Sequence, residues 1–518
     1  MDIPNHHFPS HSEADCCRSS ANPNPFSLAL VEKRSDLSDD SVREFVDRFP
    51  LPVLFGVLQG EVYVPGVEDT IVACLDKIFK TKYGASLLPN FAPFIQAGLQ
   101  ANSQAIRCLA CKAVSYLLDN ADNYGAAEQI IIGYNIYPLL LNCLIEGNEQ
   151  TSAASLDAIK RIAEVPEGKS IIFPTHGEGS MQLKNLAAHS SSLARIRILA
   201  LIAKLFSVSS SVATAAYDSD LLSLFEAEIN NRRDMLTTLS ALELLYELVE
   251  SPHSTRFLLK TTLLQLLTDL ISNSSVDSIL RSRAALISGR LLSSAEAYMA
   301  ISESSIAALL SAIDGRLSLL DSQNTDECES ALEALGLIGA TIQGANLLLI
   351  SSSDAARHIV ESAFDRQSRG KLLAALHALG SISGVDRPED KILLGEKAEE
   401  CLKRLIYTTA ANSPKLTPSG YRLIKGLVVR QWCLMEVCSK QDIISIVTDP
   451  KIESTKQGME ARHDCCMAIS KALSASSLLH DATASGIASK LQEAVKRGPY
   501  LAKKHVEAQP LVVTAERF

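Results

Sequence analysis

The chain has 518 residues, of which 47% are hydrophobic, 21% charged and 5% aromatic, with only 25 Gly and 19 Pro. That balance excludes collagen-like and largely disordered chains, and the aromatic content is thin for an all-β sandwich. A net charge of −10 gives no general attraction to phosphate backbones or anionic membranes, which disfavours both as partners.

Residues Met1 to Pro25 are rich in Ser, Pro, Asn and His. They hold neither an apolar leader core nor an Arg-rich, acid-poor stretch, so 1–30 reads as a disordered polar tail. His6, His7, His11 and the pair Cys16-Cys17 fall in it and read as tail residues, not metal ligands. Leu37 to Phe49 puts Leu37, Val42, Phe45 and Val46 on one face behind Ser38, Asp39 and Asp40, the pattern of an N-terminal cap helix.

A repeat follows. An Ala in the middle of an amphipathic run, followed at once by an apolar residue, recurs at Ala73, Ala113, Ala158, Ala200, Ala241, Ala285, Ala334 and Ala375. The spacing is that of armadillo and HEAT arrays, roughly 40–47 residues. Residues Leu236, Leu239, Ala241, Leu242, Leu244, Leu245 and Leu248 recur at three and four, which predicts a helix with a wide apolar face. Each unit reads as a polar lead-in (Asp234, Arg281), the Ala helix, a break (Ser251-Pro252, Gly380 to Gly384) and a second apolar helix such as Leu263–Leu267 or Ile306–Leu310. The small Ala suits helices that approach closely at a crossing. One repeat cannot bury its own apolar face, so 31–498 is predicted to be one all-α, armadillo/HEAT-like right-handed α-solenoid. The pattern loosens after Ala375. A loop is predicted from Thr408 to Pro418, helices resume at Tyr421–Val437 and Ala461–Leu479, and 499–518 reads as a C-terminal tail.

No stretch of about 18 apolar residues is present to span a membrane. The densest one, Ile136 to Ile145, is interrupted by Pro138 and Asn142. Twelve Cys in a large chain without a leader point to free thiols in the reducing cytosol or nucleus. Cys108-x-x-Cys111 lacks a second ligand pair, and Cys465-Cys466 are adjacent on a helix and splay about 100° apart, so both read as core thiols. His176-Gly177-Glu178-Gly179-Ser180 lacks the strand and the Lys-Ser or Lys-Thr of a phosphate cradle and reads as a surface connection. No metalloprotease, kinase or nucleophile-elbow motif occurs, so the expectation is a non-enzyme without cofactor or metal. The basic spots Arg195-Ile-Arg197 and Arg281-Ser-Arg283 read as solvated helix faces.

Charges just outside the apolar stripe remain as candidates for partner binding. They are Lys112, Asp119, Lys160, Glu164, Glu243, Glu247, Glu333 and His377. In a solenoid such positions often line a concave face, and their acidic lean suits a basic partner patch.

An importin-α type of groove needs Trp and Asn on successive repeats, and the single Trp432 lies outside the regular units. The chain is more similar to the 26S proteasome non-ATPase regulatory subunit 5 family. The resemblance covers roughly 30–505 and rests on three features. These are the degenerate armadillo run, the late helix from Gly420-Tyr421-Arg422 to Arg430-Gln431-Trp432, and the closing motif Lys496-Arg497-Gly498-Pro499-Tyr500. It implies a chaperone that binds the C-terminal domain of one base ATPase subunit, promotes assembly of the regulatory-particle base and is then released. A monomer when free, in the cytoplasm and also the nucleus, is the matching expectation. An armadillo scaffold in trafficking or signalling is the alternative.

Overall fold

The computed structural model describes residues 38–500, apart from 61–64, 121–123, 175–177, 232–233, 252, 319–324, 352, 366, 410–417 and 477–481. The expected tail 1–30, Leu37, His176, Gly177, Pro252 and 501–518 therefore lie outside the described residues, as does most of the expected loop from Thr408 to Pro418. All regular structure among the described residues is helical.

Ten helices carry the repeat: α1 (Val67–Phe79), α2 (Gln104–Asp119), α3 (Glu149–Glu164), α4 (Ser192–Val208), α5 (Met235–Glu250), α6 (Ser278–Leu291), α7 (Thr325–Gly339), α8 (Arg369–Ile382), α9 (Pro418–Leu427) and α10 (Lys456–Ala475). Their starts are written in the sequence. Ser103, Asn148, Ser191, Asp234, Asp277, Ser368 and Thr455 each accept a backbone N–H of the first turn, a cap worth about 1 kcal/mol. Asp234 is thus the lead-in that the pattern predicts, whereas Asp277, not Arg281, caps α6.

The chain divides into two compact units, Met1–Pro174 and Thr175–Phe518. In the first, α1, α2 and α3 stack side by side, and Ala92–Leu99 and Ile136–Glu146 pack beneath them. The cap helix Asp39–Arg48 buries Val42 completely, and its Asp39 accepts from the Tyr83 backbone N–H at 3.0 Å. Four rings fill the start of this stack. Phe55 lies 4.5 Å from Phe94, 5.4 Å from Phe91 and 6.4 Å from Phe79.

In the second unit α4 to α10 stack in sequence order, backed by second helices including Leu263–Ser272, Glu303–Ser318 and Ala482–Arg497. Each helix covers the apolar face of its neighbour, the arrangement of an α-solenoid. Ala241, Ala285, Ala334 and Ala375 are buried, as are Ala113 and Ala158 of the first unit. Ala73 is exposed and Ala200 half-buried, so at those two the repeat pattern marks a helix but not its buried face. The closest crossings belong to glycines. A Cβ on Gly289 would stand 2.7 Å from the Ala334 Cα, and one on Gly336 3.0 Å from the Ala378 Cα.

The expected break from Gly380 begins later, because α8 runs through Ile382. Gly384, at φ +94°, ends it with N–H bonds from Gly384 to Ser381 O and from Val385 to Gly380 O, which satisfy the last carbonyls. The expected helix Tyr421–Val437 is split by Val428–Arg430 into α9 and Gln431–Ser439. The closing motif is tied down. Arg462 of α10, almost fully buried, donates to Val447 O at 2.6 Å and Pro499 O at 3.3 Å, and Tyr500 bonds Glu460.

Candidate interaction face

The eight charged positions all lie on the stacked helices, and most are joined helix to helix. In the first unit Lys112 of α2 donates to Asp76 of α1 at 2.9 Å, and Tyr116 donates to the other oxygen of that carboxylate at 3.0 Å. Asp119 of α2 takes Arg161 of α3 at 3.2 Å. Arg161 also reaches Glu164 at 3.0 Å, and Lys160 sits 3.4 Å from Glu164. Asp119, Lys160 and Glu164 therefore gather around Arg161, while Lys112 pairs separately with Asp76.

The second unit repeats the device. Glu247 of α5 faces Lys204 of α4 at 3.6 Å. Glu243 pairs with Arg283 of α6, whose guanidinium lies 4.1 Å from the centre of the Tyr246 ring. Arg290 returns from α6 to Glu250 at 2.8 Å and to the Tyr246 hydroxyl at 2.7 Å. Arg422 of α9 donates to His377 Nδ1 of α8 at 3.0 Å and also grips Asp386. Burial, and then the Arg422 charge, lower the His377 pKa from its ordinary 6.5, with Asp386 and Glu333 pulling the other way. Glu333 is exposed on α7.

These rungs form because the same height on successive helices recurs at the repeat length. Most of their side chains are between a third and a half exposed, so each pair contributes at most about 1 kcal/mol. In each unit the rungs are weak, exchangeable pairs.

A second set of charges is buried. Arg281 holds Glu327 with two bonds, at 2.7 and 2.8 Å, with both side chains under 10% exposed and Arg316 3.8 Å away. Arg195 pairs with Glu228 at 2.5 Å, and Arg430 holds Glu399 at 2.6 and 2.8 Å. The expected solvated spots are thus corrected at Arg281, which is an internal clamp, and at Arg195, which is half-buried against Glu228. Pairing makes their burial tolerable. A signal was present in the sequence: Arg107, Arg195 and Arg281 each stand four residues after a helix cap and turn back onto the carbonyl of the preceding loop.

Of the Cys108-x-x-Cys111 pair expected in the core, Cys108 is only half-buried. Cys111 is buried, and a hydrogen bond with the Cys143 thiol, together with burial, raises its pKa. Cys465 and Cys466 are buried in α10. Among the described residues no group of three His, Cys, Asp or Glu could hold a metal ion, and no single helix is long and apolar enough to cross a membrane. Of the Gly-rich run, Gly179 and Ser180 fall inside the helix Glu178–His189 and not in a surface connection.

A family model described as proteasome non-ATPase 26S subunit matches residues 53–517. No curated protein matches the chain at a significant level. Two crystal structures of engineered proteins align with it at 14% identity. One covers 89% of this chain and 100% of its own at a TM-score of 0.40, the other 57% and 97% at 0.35. Scores at that level carry no weight, and the fold rests on the helix packing described above.

Proposed function

The chain belongs to the family of proteasome non-ATPase 26S subunits, and from that premise we propose that it is a non-catalytic assembly chaperone. It would bind the C-terminal domain of one base ATPase subunit, promote assembly of the regulatory-particle base in the cytoplasm and nucleus, and then leave. The family match over most of the chain carries this reading. Stacked, mutually buried helices support it physically, since a preformed surface loses little freedom on binding.

We assign partner contact to the ladder of each unit, through Lys112, Asp119, Lys160 and Glu164 in the first and Glu243, Glu247, Glu333 and His377 in the second. Half-exposed charges on exchangeable rungs allow binding that is selective in charge and still reversible. The test is calorimetry of the purified chain against each of the six isolated base-ATPase C-terminal domains. Binding to one and not its paralogues is the expected result. A folded, helical sample that binds none overturns the chaperone reading in favour of a general armadillo scaffold.

A further inference from the structure

A cleft of about 620 Å³ opens in the second unit among the segment after α8, the end of α9 and the C-terminal half of α10. Val428, Val429 and Leu434 are among its apolar walls, and apart from Lys471 the α10 residues that line it are Ala468, Ala472 and Ala475. Those small side chains are what leave the space open. Its charge runs against the chain as a whole. Arg387, Lys425 and Lys471 line it, against Glu389 alone among the lining carboxylates.

The three cations differ in how firmly they are held. The Arg387 guanidinium donates only to backbone carbonyls, those of Lys391, Ile392, Gly339, Ser381 and Ile382. Its Nε is buried with no hydrogen-bond partner. Neighbouring carboxylates are engaged elsewhere, Glu399 by Arg430 and Asp386 by Arg422. Burial, and then the nearby Arg430 charge, lower the Arg387 pKa to about 10, with Glu399 and Asp386 pulling the other way. Lys425 and Lys471 have partners, Asp464 and Glu389, but Asp464 is 47% and Glu389 81% exposed. Pairs of that kind are worth little and exchange readily.

We propose that this cleft binds a segment of a partner protein that carries apolar side chains flanked by carboxylates. The apolar part lies on the alanines of α10, and the carboxylates take over Lys425 and Lys471 beside the fixed charge of Arg387. The proposal does not depend on the assembly reading, since the ladders and the cleft use different residues.

The test uses the full chain and three labelled ten-residue peptides, read by fluorescence anisotropy. One has two Leu among four Glu, one replaces the Glu with Lys, and one replaces the Leu with Ser. Only the Leu–Glu peptide is expected to saturate, with affinity falling at least tenfold in Ala472→Trp, which fills the floor, and in the double reversal Lys425→Glu with Lys471→Glu. The reversal sits on exposed side chains, so it keeps the test alive if Ala472→Trp fails to fold. Failure of the Leu–Glu peptide to bind the folded wild-type chain, equal binding of the Lys peptide, or binding untouched by a folded variant overturns the proposal.

Discussion

Beside α1 and α2 in the first unit, Phe55 meets three other rings, and a small apolar cavity of about 120 Å³ remains among them. Between α6 and α7 in the second unit, the contacts are a buried Arg281–Glu327 clamp and a glycine set against an alanine. Both solve the problem of holding one repeat to the next. The ring cluster depends on filling volume, and it tolerates imperfection because dispersion contacts are many and individually weak. The clamp depends on two charges finding each other inside the core, where neither is acceptable alone. The two units should therefore fail differently.

The largest effect is expected from Glu327→Ala, which strands Arg281 in the core and removes the neighbour of Arg316. A loss of about 3–5 kcal/mol follows for a broken buried pair. Hydrogen exchange read by mass spectrometry should show it over 278–339 and not over 104–119. The double variant Arg281→Met with Glu327→Leu should regain most of that protection, because well-packed apolar residues replace such pairs with little penalty. Phe55→Ala should act the other way round. It enlarges the cavity in the first unit and loses about 3 kcal/mol, with exchange rising over 51–119 and the second unit unchanged. No apolar double substitution is needed to explain it, so a rescue by added charge would count against the comparison.

Smaller effects come from the ladders, of which each unit has its own. Asp76→Ala should cost under about 1 kcal/mol in thermal or urea unfolding, with the difference shrinking at high salt. A penalty as large as that of Glu327→Ala would show that the rungs are structural clamps too. The smallest effect concerns His377. Its folded pKa is lowered from 6.5 by burial and by Arg422. The unfolded chain therefore takes a proton there first, and stability falls as pH drops below about 6.5 until the folded pKa is passed. Thermal midpoints at pH 7.5 and 5.5 should differ more for the native chain than for His377→Gln.

The helical repeat was legible in the sequence because alanines and leucines at helical spacing report burial directly, and capping residues such as Ser191 and Asp234 mark helix starts by their own chemistry. The crossings were less legible. Gly289 and Gly336 carry no pattern of their own, and their role shows only when the next helix is placed against them. Charged residues misled for the same reason. Arg281 looks like any solvated helix residue until Glu327, 46 positions away, is brought to it. The ladder positions were found from spacing, but Asp76, Arg161 and Arg422, which hold them, were not, since a partner one repeat away has no local signature.

The buried thiols give this molecule two built-in clocks. Cys74 in the first unit and Cys466 in the second are buried, and burial raises both thiols to about 11, so neither is an accessible nucleophile while its helix is closed. An alkylating reagent added to the native chain therefore marks Cys74 when α1 opens and Cys466 when α10 opens. The ratio of the two adducts over time measures how often each end breathes, without any engineered label.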